Sequence, residues 1–391
     1  MDTVKNLLAT NIEQDAELLH GIAKAMYDNP ELGNVEFFAA EQLVKALKEV
    51  GYEVEQPFLG VETGFKAVLD TGNPGPQVAL LSEYDALPGI GHGCGHNLIG
   101  VMSLAAARAL ASIRDQLCGK IVFFGCPAEE TNGAKVVYAE KGAFANIDAA
   151  LQVHPGSRNT VGGSSLAIEP LQFTFHGKTA HASGAPEEGI NALDAAIQTF
   201  NGINALRQHV KSDVRIHGII KEGGLAANIV PEKAVAQFYV RAAEREYLNE
   251  VVEKVKACAK AGAAMAGATL DIITFEYPND NLINNSIMSQ LFVDQLLLLG
   301  VVNEEVEYLS GGRGSTDVGN VSHKTATIHP HISITGGARV TGHSREMAEA
   351  TISEHGKQGT LLAGKALAFC CWDLINDPGL LERVKEEFNS K

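Results

Sequence analysis

Three apolar runs of strand length, QVALLS (77–82), KIVFFG (120–125) and AALQVH (149–154), each end in residues that bind protons or metals. The first leads into Glu83-Tyr84-Asp85-Ala86-Leu87-Pro88, the second into Cys126-Pro127-Ala128-Glu129-Glu130, and the third into His154-Pro155. IGVMSLAAARALASI (99–113), between the first two, has the small and apolar residues of a buried helix. Strands alternating with helices predict an α/β fold, a mostly parallel sheet covered by helices on both faces. Ligands of such sheets gather beyond the carboxyl ends of the strands. One rim is therefore expected to carry Asp85, His92, Cys94, His96, Glu129, Glu130 and His154.

Upstream, a helix is predicted over about 4–27, stopping before Asn29-Pro30, and a second over 35–50, ending at Gly51. FKAVLD (65–70) is a further strand. The middle of the chain reads differently. LQFTFHG (171–177), SDVRIHGIIKEG (212–223), AVAQFYVRA (234–242) and TLDIITFE (269–276) alternate like strands, with helical patterns over 189–209 and 248–267. That βαββαβ order predicts a small α+β unit inserted into the larger one. The expected organisation is a discontinuous catalytic domain, 1–168 and 279–391, interrupted by 169–278 and closed by a helical tail from Ser344.

Composition removes several classes of function. A net charge of −16 argues against nucleic acid or an anionic membrane surface as partner. The N-terminal stretch is too charged for a signal peptide, and no apolar run of membrane-spanning length occurs. Six cysteines at irregular spacings, with no C-x-x-C, suggest reduced thiols and a cytoplasmic setting.

The chemistry concentrates in GHGCGHNLIG (91–100). Glycines around Cys94 let the backbone turn sharply, so a thiolate and an imidazole two positions apart can face one point. Read alone, C-G-H is equally a core cysteine beside a satisfied histidine, and Glu129-Glu130 a solvated acidic pair. The convergence of three strand ends separates these readings. Sulfur, imidazole and carboxylate together suit zinc and its neighbours better than magnesium or calcium. No resolving cysteine lies nearby for redox work, and no G-x-S-x-G surrounds a serine nucleophile.

DALP (85–88), GHGCGH (91–96), PAEE (127–130), VHP (153–155) and GKTAHAS (177–183) resemble the aminoacylase/carboxypeptidase family of dinuclear metallopeptidases, in its amidohydrolase branch. AANIVP (226–231) and GSTDVGNVS (314–322) extend the likeness toward aminobenzoyl-glutamate hydrolase subunits and HmrA-type amidohydrolases. The resemblance implies two divalent metal ions per subunit, zinc first, with manganese, cobalt or nickel as alternatives. It implies Cys94 as bridging ligand, His96 and His154 completing one metal site, and Glu130 and His343 the other. Glu129 would be the general base, with Asp85 orienting a ligand. The inserted unit would serve as lid and homodimer interface, bringing His181, Asn228 and Arg241 to the substrate. His92 and His217 are expected to be structural, and Arg313 is a further anion contact. Asn97 stands where many members of the branch carry aspartate. The implied activity is hydrolysis of amide bonds in N-acyl amino acids or small dipeptide-like substrates. Longer peptides, or a non-catalytic metal-binding subunit, are the alternatives.

Overall fold

The computed structural model describes residues 3–312 and 314–391. Arg313 lies outside the described residues. The chain forms two compact units. One comprises the residues up to Ser164 with Leu282–Gly312 and Asp317–Lys391; the other comprises Ser165–Asn281 and a short stretch ending at Thr316. The sequence pattern had placed the insertion at 169–278.

The larger unit is built on a six-stranded sheet. Its order is Glu53–Glu55, Phe65–Asp70, Lys120–Gly125, Gln77–Ser82, Ala149–Leu151 and Ala326–Ile328. The last four strands are parallel, and the first two join antiparallel. The link over residues 71–76 is too short for a parallel crossover, so Phe65–Asp70 must run against Gln77–Ser82. Alternation along the strands sorts the core. Val78, Leu80, Ile121 and Phe123 pack with the helices His96–Ala111 and Glu354–Asn376. Ala79, Leu81, Val122 and Phe124 pack with Tyr138, Phe144 and Val318 on the other face. Both faces are covered, as a parallel sheet requires.

Three sequence expectations need correction. The single helix over 4–27 is two, Thr3–Gln14 and Ala16–Asp28, interrupted at Asp15, whose ψ is −1°. Arg108 holds the Asp15 carboxylate from Nε at 2.7 Å and donates to the Ala46 carbonyl at 2.8 Å. The strand read over 149–154 ends at Leu151, and His154–Gly156 belongs to a separate four-stranded sheet. That sheet, with Asn159–Gly162, Val306–Leu309 and His331–Ser333, is made of pieces of three or four residues, too short to carry a period-two pattern. The helical tail is three helices, Arg345–Thr351, Glu354–Asn376 and Pro378–Asn389. Ser353 and Asp377 cap the second and third by accepting backbone N–H groups.

The smaller unit is an antiparallel sheet in the order Thr269–Thr274, Ala167–His176, Lys233–Ala242, Arg215–Glu222. Helices Ala192–Leu206 and Arg245–Ala266 cover one face through Phe173, Phe175, Phe238, Ala195, Ile203, Val251 and Val255. The helices approach closely because Gly262 has no side chain: a Cβ there would stand 2.6 Å from the Ala195 carbonyl. Among the described residues no helix is long and apolar enough to cross a membrane.

Phe123 is fully buried in the middle of the main sheet. Phe123→Ala is expected to destabilise the larger unit by about 3–5 kcal/mol, measured by urea unfolding followed by circular dichroism.

Candidate metal centre

The site grows from the carboxyl ends of the parallel strands. Gln77–Ser82 delivers Glu83 and Asp85, and Lys120–Gly125 delivers Glu129 and Glu130. His154 opens the short strand beyond Ala149–Leu151. Cys94 and His96 lie at the start of the buried helix His96–Ala111, across Gly95 at φ 80°. A Cβ on Gly95 would come within 2.5 Å of Pro155 Cγ, so only glycine lets the cysteine loop meet the histidine strand. His343, at φ 60°, is tied to the same loop by its N–H donating to the Gly93 carbonyl at 2.9 Å.

Two groups of donors result. Cys94, His96 and His154 present ligand atoms within 4.8 Å of one another, and so do Cys94, Glu130 and His343. Cys94 Sγ stands 3.6 Å from His154 Nε2, and Glu130 Oε1 lies 3.2 Å from His343 Nε2. Glu129 joins His96 and Glu130 in a third group, with its Oε2 4.0 Å from His96 Nε2.

The imidazoles are aimed by their other nitrogens. His96 Nδ1 meets Asp85 Oδ1 at 2.7 Å, and His154 Nδ1 meets the Pro155 carbonyl at 2.7 Å. Each contact leaves Nε2 facing the donor ring. Asp85 Oδ2 accepts the Glu130 backbone N–H at 3.0 Å, so one carboxylate braces both groups. His96 Nε2 and Glu130 Oε1 are buried without a hydrogen-bond partner. Such orphaned atoms fit a cation, and the donors are those of a borderline metal. The clusters accommodate divalent metal.

Electrostatics agree with that reading. Burial pushes the Cys94 thiol up to about 12 and, with His331 and His96 nearby, the His154 imidazole down to about 3. Burial also works to lower His96, but Asp85, Cys94 and Glu83 carry it well above its ordinary value. Burial, then Glu83 and Asp317, lift Glu129 well above the usual carboxylate range. Burial holds Cys94 and Glu129 toward their protonated forms, a penalty that a bound cation would offset.

Other expected residues fall as follows. His92 is buried, its imidazole pushed to about 4 by burial and by His96, and its Nδ1 has no partner. Asn97 donates to the Ala23 carbonyl at 3.2 Å and to Thr351 Oγ1 at 3.1 Å, which is a helix-packing role. In the smaller unit His181 and Asn228 are exposed; Ala182 donates its N–H to the Asn228 carbonyl. Arg241 is half-buried over the Tyr239 ring, with Nη1 on Ser315 Oγ at 3.2 Å and Nε unpartnered. The His217 ring lies tilted against Tyr239, their centroids 5.6 Å apart. Sequence reasoning missed Lys135, Asp317 and Gln152, which sit behind Glu83; a lysine in NGAKVV gives no sign of burial.

The Peptidase dimerisation domain model matches residues 170–265. The Xaa-Arg dipeptidase of Mus musculus is 35% identical over 405 residues, covering 100% of this chain and 93% of that protein. The chain belongs to the M20 peptidase family. Aminobenzoyl-glutamate utilization protein from Klebsiella pneumoniae superposes with a TM-score of 0.78 at 22% identity, covering 95% of this chain and 99% of that one. A Bacillus subtilis dinuclear metal-binding peptidase of the M20 family superposes at 0.68 and 20% identity, covering 92% and 100%. The protein is thus a hydrolase of C–N bonds in small amide or dipeptide-like substrates. The family membership expected from DALP, GHGCGH and PAEE holds, as does the α/β class.

Glu36 supports the loop carrying the glutamates. Its carboxyl accepts the Ala128 N–H at 2.7 Å and the Thr63 hydroxyl at 2.9 Å, and Ala128 is left-handed at φ 63°. Burial, with Asp85 adding, lifts Glu36 from 4.5 to about 7. Between those pH values the native state keeps a proton that the unfolded chain has released, so this group's contribution to stability falls as pH rises. Glu36→Gln is expected to flatten the decline in unfolding free energy across that window by roughly 3 kcal/mol, read from urea unfolding at a series of pH values.

Proposed function

We propose that this protein hydrolyses dipeptides and N-acyl amino acids at a two-metal centre with Glu129 as general base. The carrying observation is that two three-donor groups share Cys94, with Glu129 against both His96 and Glu130. A thiolate with imidazoles favours zinc, and manganese, cobalt or nickel are the alternatives. Cys94, His96 and His154 would hold one ion and Cys94, Glu130 and His343 the other. Bound there, the ions supply the Lewis acidity that activates water and polarises the scissile carbonyl.

The chain's own residues do the rest. Glu129 takes the proton of the attacking water and returns it to the leaving amine. Asp85 fixes the His96 tautomer and the Glu130 backbone. From the inserted unit, His181, Asn228 and Arg241 are assigned to the substrate. His181 Nδ1 accepts the Ser183 and Gly184 N–H groups at 3.3 and 3.1 Å, so the neutral ring carries its proton on Nε2. That proton and the Asn228 amide are suited to a developing oxyanion. Arg241 is suited to a substrate carboxylate.

The dimerisation-domain match supports a homodimer through the inserted unit, as does its edge strand Arg215–Glu222 with exposed Ile219 and Ile220. Six unpaired thiols support a reducing, cytoplasmic setting.

Glu129→Gln is expected to lower kcat by at least about 10³-fold while metal content by elemental analysis stays at the wild-type value. Near-normal turnover by that variant sinks the assignment. Arg241→Ala should raise KM for Xaa-Arg dipeptides and N-acyl amino acids roughly 10–100-fold, and leave C-terminally amidated analogues little changed. If the substrate panel instead shows rates climbing with peptide length, the protein is a peptidase of longer chains.

A further inference from the structure

Behind Glu129 lie two further acids, Glu83 and Asp317, that the reaction above does not use. Carboxylate oxygens of Glu83, Glu129 and Asp317 come within 4.8 Å of one another, an arrangement able to hold a cation. The Lys135 ammonium is already there. Its Nζ donates to Glu83 Oε1 and to Asp317 Oδ1, each at 2.6 Å, and its backbone N–H donates to Asp317 Oδ2 at 3.2 Å. Gln152 Nε2 donates to Glu83 Oε1 at 2.7 Å, and Glu83 Oε2 lies 3.5 Å from His96 Nε2. The Lys135 side chain is 0% exposed, and Glu83 and Asp317 are no more than 1%.

Fold stability alone is a weak reason for such a group. Taking a lysine and two carboxylates out of water costs about as much as their attraction returns, and apolar replacements of buried ion pairs are often neutral or better. The location offers a stronger reason. Without an ammonium, three carboxylates this close either share a proton or swing apart, and Glu129 also belongs to the group with His96 and Glu130. Held in place by Lys135, Glu83 and Asp317 occupy the space behind Glu129, whose Oε2 lies 4.0 Å from His96 Nε2.

We propose that Lys135 is a built-in counter-cation, filling the cation position among Glu83, Glu129 and Asp317 and thereby confining divalent metal to the Cys94 groups and positioning Glu129. Lys135 is a positioning residue and touches no substrate. The inference rests on the two-metal reading above, and the wild-type enzyme serves as its control. Wild type inert toward the amide panel with zinc, manganese or cobalt defeats that reading, whereas the Lys135 inference is judged against an active wild type.

Two variants test it. Lys135→Met, which fills the space without charge, should lose about 100-fold or more in kcat with KM within about threefold and wild-type metal content. Lys135→Ala, which opens the space, should bind one more Mn²⁺ per chain than wild type, counted by equilibrium dialysis without substrate. Should Lys135→Met fold poorly, Lys135→Met combined with Glu83→Gln removes the charge imbalance and should show the same kcat loss at unchanged KM. Turnover within threefold of wild type in a folded variant overturns the proposal. So does activity lost only in proportion to metal lost, or no extra Mn²⁺ in Lys135→Ala.

Discussion

The centre depends on one buried carboxylate with two obligations. Asp85 gives one oxygen to His96 Nδ1 and the other to the Glu130 backbone N–H. The first sets which imidazole nitrogen faces the donor ring; the second fixes the loop that supplies Glu129 and Glu130. Because both bonds come from one rigid group at the end of one strand, the two halves of the donor ring cannot drift apart independently. Cys94, common to both donor groups, repeats that economy.

The loops around this brace hold conformations they would not choose. Ala128 and His343 both have positive φ without being glycine, and each is tied at its backbone N–H: Ala128 to the Glu36 carboxyl, His343 to the Gly93 carbonyl. Such strain persists only where the surroundings over-determine it, and it collects at functional sites. Gly95 solves the same problem by having no side chain to place. Three segments far apart in sequence thereby reach one point.

Much of this was legible from residue order. Apolar runs of six residues ending in donors announced the parallel strands, and their shared polarity put Asp85, Glu129, Glu130 and His154 on one rim. The βαββαβ insertion showed because its strands run to 6–10 residues, long enough for alternation to register. What stayed hidden has physical reasons. The second sheet is held by pairing between strands of three or four residues, which carry no period. Asp15, at the helix break, is held by Arg108, more than ninety positions away. Lys135 and Asp317 meet across 182 residues, and nothing local distinguishes a lysine destined for burial from one on a solvated face.

Charge is what joins these hidden contacts to the visible ones. A rim lined with a cysteine and several carboxyl groups is unstable as a set of anions in a poorly solvated place, and three devices relieve it. His96 shares a proton with Asp85; Lys135 sits between Glu83 and Asp317; and the demand for a further cation is left to the Cys94 groups. The order matters for specificity. An ammonium fixed on a helix neutralises acids without offering a coordination site, so cation demand is left only where sulfur and imidazole stand. Sulfur and imidazole suit a borderline cation, whereas an all-carboxylate cluster suits harder ones.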